Sequence, residues 1–191
     1  MKTESLKNRT AYKFAEYAHR SIGQLRKYTG EPYIVHPYSV ASTIFCISND
    51  QDMIDAALLH DVLEDVMWVH LDLIEAICNK RVASFVYQLT DYPRAAGNRA
   101  TRKKMDTSRL AAASYEVQTI KLADLIDNTS SIVKYDPDFA KVYMQEKKEI
   151  LKVLIKGDSR LLNPAQALVD KYFADESKKS LDSYLSGENN A

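Results

Sequence analysis

The stretch AALLHDVLED, residues 56–65, places polar side chains on one face of an otherwise apolar helix. His60 and Glu64 are four residues apart, as are Asp61 and Asp65, and a helix completes a turn in about 3.6 residues. The apolar residues between them predict that this helix is largely buried. One imidazole and three carboxylates in a buried helix are costly unless a positive group neutralises them. A divalent metal ion is the simplest candidate for that group.

The rest of the chain has the same helical pattern. Apolar residues recur at intervals of three and four, and the 191 residues include only 5 glycines and 5 prolines. The sequence therefore predicts an all-α fold: a single helical bundle in residues 1–175, then a polar tail, residues 176–191, that frays. Asp50 and Asp136 are predicted to cap two of the helices. The predicted helices cover residues 6–22, 37–48, 52–65, 71–79, 82–90, 101–113, 117–133 and 137–156.

The composition narrows the expected partners. The chain carries 26 basic and 26 acidic residues and no net charge, whereas nucleic-acid-binding proteins usually carry a basic excess. No segment approaches the roughly 20 apolar residues that a membrane-spanning helix needs. The first residues, MKTESLKNRT, are polar and lack the apolar stretch of a secretory signal. We therefore expect a cytoplasmic protein that binds neither nucleic acid nor membranes.

Two further residues can complete a metal site. His36 lies near the end of the loop RKYTGEPYIVHP, and Asp124 lies on the apolar helix IKLADLIDN. With His60 and Asp61 they provide two imidazoles and two carboxylates, a donor set that suits Mn²⁺, Fe²⁺ or Zn²⁺. An HD dipeptide alone is weak evidence, since it occurs by chance in many chains. The combined set favours a metal, because otherwise several buried acids would each need a separate partner.

These three segments resemble the hydrolase domain of Rel/Spo-type alarmone enzymes, which belong to the HD superfamily. That family carries close forms of GxPYIxHP, AALLHDxxED and KLADxxxN in this order, and the resemblance covers roughly residues 11–156. Long enzymes of this type append synthetase and regulatory domains, for which 191 residues leave no room. We therefore expect a small alarmone hydrolase, similar to the metazoan SpoT homologue and its bacterial relatives. The resemblance implies an all-α HD domain, one Mn²⁺ ion and a nucleotide substrate, with ppGpp or pppGpp hydrolysed to GDP or GTP and pyrophosphate.

The resemblance also implies roles for individual residues. Glu64 and Asp65 match the acidic pair that the family uses to orient or activate the attacking water. The residues that match the metal ligands are His36, His60, Asp61 and Asp124. The residues that match substrate contacts are Arg26, Lys27, Asn128, Arg99, Arg102, Lys103, Tyr143 and Lys147. The same alignment places the basic segment of residues 94–104 near the phosphates of the substrate.

The chain departs from the family pattern at two positions. The long enzymes read KLADRLHN, whereas Leu125 and Asp127 stand here in place of Arg and His. We expect both residues to lie off the metal-facing line of Asp124 and Asn128. The departures leave open another nucleotide substrate for the same site, such as ppApp, NADPH or a nucleoside phosphate. A non-catalytic nucleotide-binding module is the remaining alternative, which the intact acidic pair disfavours.

Overall fold

The computed structural model describes residues 2–186 and confirms the predicted all-α class. Within these residues the one β pairing outside the helices is an isolated bridge between Leu25 and Pro32. No helix in this range is both long enough and apolar enough to cross a membrane. The α-helices are α1 (Lys2–Lys7), α2 (Thr10–Ser21), α3 (Val35–Ile47), α4 (Gln51–Leu59), α5 (Val62–Asp65), α6 (Leu71–Ile77), α7 (Lys80–Leu89), α8 (Arg99–Ala112), α9 (Tyr115–Tyr135), α10 (Pro137–Leu151) and α11 (Ser159–Ser186).

Helix α4 forms much of the core, because it packs against α2, α3, α7 and α9. The residues from Ala56 to Leu59 are fully buried. The predicted cap is confirmed: the Asp50 carboxylate accepts hydrogen bonds from the backbone N–H groups of Asp52 and Met53. The C-terminal end of α4 therefore delivers His60 into the interior of the bundle.

The helix predicted for residues 52–65 is divided in two. Helix α4 ends at Leu59 and α5 begins at Val62, so His60 and Asp61 lie in the turn between them. The His60 imidazole donates from Nδ1 to the carbonyl oxygen of Ala57 at 2.8 Å, which gives a carbonyl at the helix end a partner. The apolar pattern runs on through this turn, so the periodicity of the sequence could not reveal it.

The loop between α2 and α3 begins and turns at glycines. Gly23 has a φ of 64° and ends α2 as the sequence predicts, since a left-handed residue after a helix favours glycine. Gly30, with a φ of 71°, turns the loop back on itself. The Tyr33 N–H then donates to the Gln24 carbonyl at 3.2 Å, which closes the loop near the start of α3.

The helices at the C-terminal end of the chain differ from the prediction. Helix α10 begins at Pro137 with the Asp136 cap as predicted, but it ends at Leu151 instead of residue 156. Side chains of α9 compete for the backbone there: the Lys156 N–H donates to Gln118 at 2.8 Å and the Asp158 N–H donates to Thr119 at 3.0 Å.

Helix α11 continues to Ser186, where the sequence predicted a frayed tail. The side chains of this segment form helix-spaced ion pairs, such as Lys179 with Glu176 at 2.8 Å. The last part of the predicted tail, residues 187–191, lies outside the described residues. The division of the chain into residues 1–175 and 176–191 stays a prediction.

Candidate metal centre and substrate cavity

Three elements bring the four predicted ligands together. His36 lies in the first turn of α3, His60 and Asp61 in the turn between α4 and α5, and Asp124 in the middle of α9. One donor atom each from His36, His60 and Asp124 lie within 4.8 Å of one another, and all three residues are buried. The Asp61 Oδ2 atom lies 3.6 Å from Nε2 of His36 and 3.2 Å from Nε2 of His60. The geometry is compatible with one cation, and the ligand role of these residues stays a prediction.

The two imidazoles are oriented as metal ligands usually are. Nδ1 of His36 donates to Oδ2 of Asp127 at 2.6 Å, and Nδ1 of His60 donates to the carbonyl of Ala57. With the proton on Nδ1, the lone pair of each ring is on Nε2. Both Nε2 atoms are buried and have no hydrogen-bond partner among the described residues. Because buried polar atoms are rarely left without a partner, these two atoms fit a cation well.

The charges of the cluster also favour a cation. Burial alone would lower the pKa of His36, but the carboxylates of Asp124 and Asp127 outweigh it and raise the pKa to about 9. The pKa of His60 is raised as well, since Asp61 and Asp124 outweigh the effect of its burial. The carboxylates therefore create a negative potential that attracts positive charge, whether as protons or as a metal ion.

A lysine that the sequence analysis missed completes the charge balance. Lys121 lies one turn before Asp124 on α9 and donates to its Oδ2 at 2.8 Å. Burial would lower the pKa of Lys121, but Asp124 and Asp91 outweigh it and raise the pKa. The i,i+3 spacing within KLAD was the available signal. Lys121 occupies one oxygen of Asp124, while Oδ1 lies 3.2 Å from Nε2 of His36.

The predicted acidic pair, Glu64 and Asp65, separates in the structure. Glu64 lines a large cavity beside the four predicted metal ligands, which are together called the metal cluster below. Its Oε2 accepts a hydrogen bond from the Asp91 N–H at 3.0 Å. The side chain is accessible from the cavity, yet the surrounding protein desolvates the carboxyl. Together with the charge of Asp91, this raises the pKa of Glu64 to about 7. Asp65 does not line the cavity, so the two carboxylates have different surroundings.

Asp65 is held by a network that the sequence analysis did not identify. Its Oδ2 accepts from the side-chain amide nitrogen of Gln24 at 2.8 Å, and the side-chain oxygen of Gln24 accepts from Nδ1 of His19 at 2.7 Å. The ring of His19, which is 1% exposed, lies 4.7 Å from the ring of Tyr33. The Tyr33 hydroxyl donates to Oδ2 of Asp61 at 2.7 Å. His19 therefore contacts both Gln24 and Tyr33, the side chains that hold the carboxylates of Asp65 and Asp61.

The cavity has a volume of about 720 Å³ and extends from the metal cluster between α8, α9 and α10. This volume lies within the range of ordinary small-molecule sites, about 300–1,000 Å³. The predicted site residues that line it are Asp61, Glu64, Asp124, Asn128, Arg99, Lys103, Tyr143 and Lys147. Lys104 and Lys121 line it too and add positive charge that the sequence analysis did not assign.

The predicted cations of α8 are paired with carboxylates. Arg99 makes two hydrogen bonds of 2.7 Å with Glu146, and its guanidinium lies 5.2 Å from the centre of the Phe139 ring. Lys103 pairs with Asp91. Arg102 does not line the cavity, because its guanidinium points towards the carbonyl of Tyr92 at 3.4 Å. The basic segment therefore faces the cavity only in part.

Three further residues predicted to contact the substrate, Arg26, Lys27 and Asn128, differ in how they are connected to the metal cluster. Arg26 donates to Oδ1 of Asn128 at 3.1 Å, and Asn128 donates to Oδ1 of Asp124 at 2.6 Å. Lys27 is exposed and pairs with Asp136 at 2.9 Å, outside the cavity wall. Arg26 and Asn128 are thus directly connected to a predicted ligand, and Lys27 is not.

Tyr143 and Lys147 meet at the same backbone carbonyl in the wall of the cavity. Both donate to the Leu125 carbonyl at 3.2 Å, and the Lys147 ammonium also donates to Thr129 at 2.6 Å. Lys147 is 1% exposed and has no carboxylate within salt-bridge distance among the described residues. Burial lowers its pKa to about 8. It is therefore a buried cation that faces the cavity without a counter-charge in contact.

Comparisons with known proteins find relatives of this chain in both sequence and structure. The family model described as HD domain matches residues 11–154. A guanosine-3′,5′-bis(diphosphate) 3′-pyrophosphohydrolase of Aquifex aeolicus is 31% identical over 189 residues, which cover 92% of this chain and 27% of that protein. A probable enzyme of the same name from Synechocystis is 30% identical over 175 residues, which cover 88% and 23% of the two chains. The chain thus spans about a quarter of the length of these curated relatives.

A solved structure matches over nearly its whole length. It is a metazoan ortholog of SpoT, described as hydrolysing ppGpp and playing a role in starvation responses. It superposes with a TM-score of 0.75 and 25% sequence identity, over 85% of this chain and 93% of that one. The described helices of this chain therefore form the same fold as that ortholog.

Proposed function

Because the chain belongs to the HD-domain family, we propose that it is a metal-dependent enzyme that removes the 3′-pyrophosphate from ppGpp or pppGpp, leaving GDP or GTP. The observation that carries the proposal is the pair of buried, unpartnered Nε2 atoms beside two carboxylates at one end of a cation-lined cavity. The names of the curated relatives and of the metazoan ortholog supply the substrate.

The ion in this proposal is a single Mn²⁺ held by His36, His60, Asp61 and Asp124. Two imidazoles and two carboxylates form a mixed nitrogen and oxygen donor set, which Mn²⁺, Fe²⁺ and Zn²⁺ all accept. Oxygen ligands and a phosphate substrate favour the harder Mn²⁺. When bound, such an ion lowers the pKa of a coordinated water and polarises a phosphate oxygen.

Glu64 is the proton acceptor in the proposed reaction. It lines the cavity, and its raised pKa of about 7 allows it to take and release a proton near neutral pH. Asp65 has a different role, because the Gln24 amide holds its carboxylate and it does not line the cavity. We assign to Asp65 the orientation of the α5 turn that carries Glu64.

The cations of the cavity bind the phosphates. Arg99 and Lys103 are paired with Glu146 and Asp91, so an incoming phosphate would compete with those carboxylates for the same donors. Lys147 has no such competitor and can offer a donor to a phosphate directly. Asn128, which lines the cavity, and Arg26, which donates to it, are assigned to the nucleoside in this arrangement.

The test is release of pyrophosphate from ppGpp by the purified protein with Mn²⁺ and with a chelator. We expect turnover only with the metal, and a loss of about 10²- to 10⁴-fold in kcat for Glu64→Gln. The matched control is Glu75→Gln on the exposed face of α6, which should retain wild-type activity.

Three results would contradict the proposal. Turnover in the presence of the chelator would show that the reaction does not need a metal. Turnover by Glu64→Gln at the wild-type rate would show that Glu64 is not the proton acceptor. Turnover of ppApp or NADPH, without turnover of ppGpp or pppGpp, would replace the substrate and retain the site.

A further inference from the structure

Asp127 lies at a junction between the metal cluster and the substrate side of the site. It is on α9, one turn after Asp124, and its side chain is 24% exposed. As expected from the sequence, it is not one of the residues that face the predicted cation, but it contacts one of the predicted ligands from behind. Its Oδ2 accepts from Nδ1 of His36 at 2.6 Å, across 91 residues of sequence.

The same carboxylate oxygen also faces the guanidinium of Arg26. The Arg26 nitrogen lies 3.6 Å from Oδ2 of Asp127, and Arg26 donates in turn to Asn128. Asn128 donates to Oδ1 of Asp124, which lies 3.2 Å from Nε2 of His36. These contacts form a closed ring of five side chains, which includes two predicted ligands. Its members are His36, Asp127, Arg26, Asn128 and Asp124.

The charge of Asp127 suits this position. Its Oδ2 faces two donors, Nδ1 of His36 at 2.6 Å and the guanidinium of Arg26 at 3.6 Å, as an anionic acceptor does. An anion that accepts from Nδ1 makes Nε2 of the same ring a stronger electron donor and fixes the orientation of the ring.

We infer that Asp127 is a positioning residue that strengthens cation binding through His36 and, through the same carboxylate, holds Arg26 towards the nucleotide. The inference rests on the proposed metal site and is independent of which nucleotide is hydrolysed. It assigns a role to a residue that touches neither the cation nor the substrate. Removal of its negative charge should therefore weaken binding of the metal and raise KM together.

The inference is tested by the dissociation constant of Mn²⁺, measured without nucleotide from the electron paramagnetic resonance signal of the free ion. Asp127→Asn retains an oxygen acceptor and loses the charge, and Asp127→Leu loses both. We expect the dissociation constant to rise about 10- to 100-fold in Asp127→Asn and further in Asp127→Leu. Asp138→Asn is the matched control, because that carboxylate is 94% exposed on α10 and pairs with Lys141, outside the metal cluster.

Circular dichroism separates a positioning role from a general loss of structure. Asp127→Asn should retain the helical signal of the wild type while its affinity for Mn²⁺ falls. A dissociation constant within about twofold of the wild type, or an equal rise in Asp138→Asn, would overturn the inference. Because the titration contains no nucleotide, its result stands even if the protein does not hydrolyse ppGpp. If the wild type hydrolyses ppGpp but Asp127→Asn binds Mn²⁺ as tightly as the wild type, only the role of Asp127 is rejected.

Discussion

At the scale of single residues, the site depends on side chains whose charge is set by what surrounds them. Glu64 and Asp65 are neighbours in sequence and of similar chemistry, but only Glu64 lines the cavity. Asp65 is held by Gln24, which in turn rests on His19. Similar chemistry therefore does not imply the same role, and the contacts of each carboxylate decide what it can do.

Burial of the Lys147 ammonium makes the stability of the protein depend on pH. Its pKa is about 8 in the folded protein, against 10.5 for an ordinary lysine. The unfolded chain therefore binds more protons between those two pH values, and the free energy of unfolding rises with pH across this window. Below about pH 8 the folded protein bears the full cost of the buried charge.

We predict that Lys147→Met stabilises the protein at pH 7 and impairs turnover. The removal of a buried charge should add on the order of 1–3 kcal/mol to the free energy of unfolding, partly offset by lost hydrogen bonds to Leu125 and Thr129. The gain should shrink at pH 10, where the wild-type lysine is mostly neutral in the folded state. Urea denaturation at both pH values measures it, with exposed Lys148→Met as the control. A variant less stable than the wild type at pH 7 would show that the buried charge of Lys147 does not destabilise the protein.

At the scale of helices, the start of α8 determines where the cations of the cavity lie. Asn98 caps α8 by accepting from the Thr101 N–H at 2.9 Å, and Gly97 before it has a φ of 139°, which favours glycine. Arg99 and Lys103 then project from the first turns into the cavity wall. Frayed first turns would therefore move both cations.

We predict that Asn98→Ala raises KM by up to about fivefold, because a lost cap costs roughly 1 kcal/mol. Asn79→Ala is a matched control: Asn79 caps α7 by accepting from Arg81 and Val82, and it does not line the cavity. Both variants should lower the melting temperature by a similar amount. Equal changes in KM for the two variants, measured by steady-state kinetics, would contradict the role of the α8 cap in placing the cations of the cavity.

At the scale of the whole molecule, the all-α class predicted from the sequence is confirmed, whereas the set of four metal ligands stays a prediction. The helical period identified most helical stretches, but it joined α1 to α2 and α4 to α5, and it missed α11. The single face predicted for HDVLED is interrupted by the turn at His60 and Asp61. The structure then placed His36, His60, Asp61 and Asp124 together, although they come from three separate parts of the chain.

The contacts between distant elements were beyond the reach of the sequence. The hydrogen bond between His36 and Asp127 joins α3 to α9, and local spacing carries no information about such a pair. The same holds for Gln24 and Asp65, and for Arg102, which points away from the cavity. The turn at His60 was hidden as well, because apolar residues continue on both sides of it.

We propose that this chain cleaves the bond between the 3′ oxygen of a guanosine alarmone and its pyrophosphate. This proposal is tested most directly by incubating ppGpp with the purified protein and Mn²⁺, removing the Mn²⁺ with a chelator, and recording the phosphorus NMR spectrum. We expect the signals of ppGpp to be replaced by those of pyrophosphate and GDP in equal amounts, and to persist when the chelator is present from the start. Release of single phosphates, or intact ppGpp in the presence of a Mn²⁺-loaded protein, would contradict it.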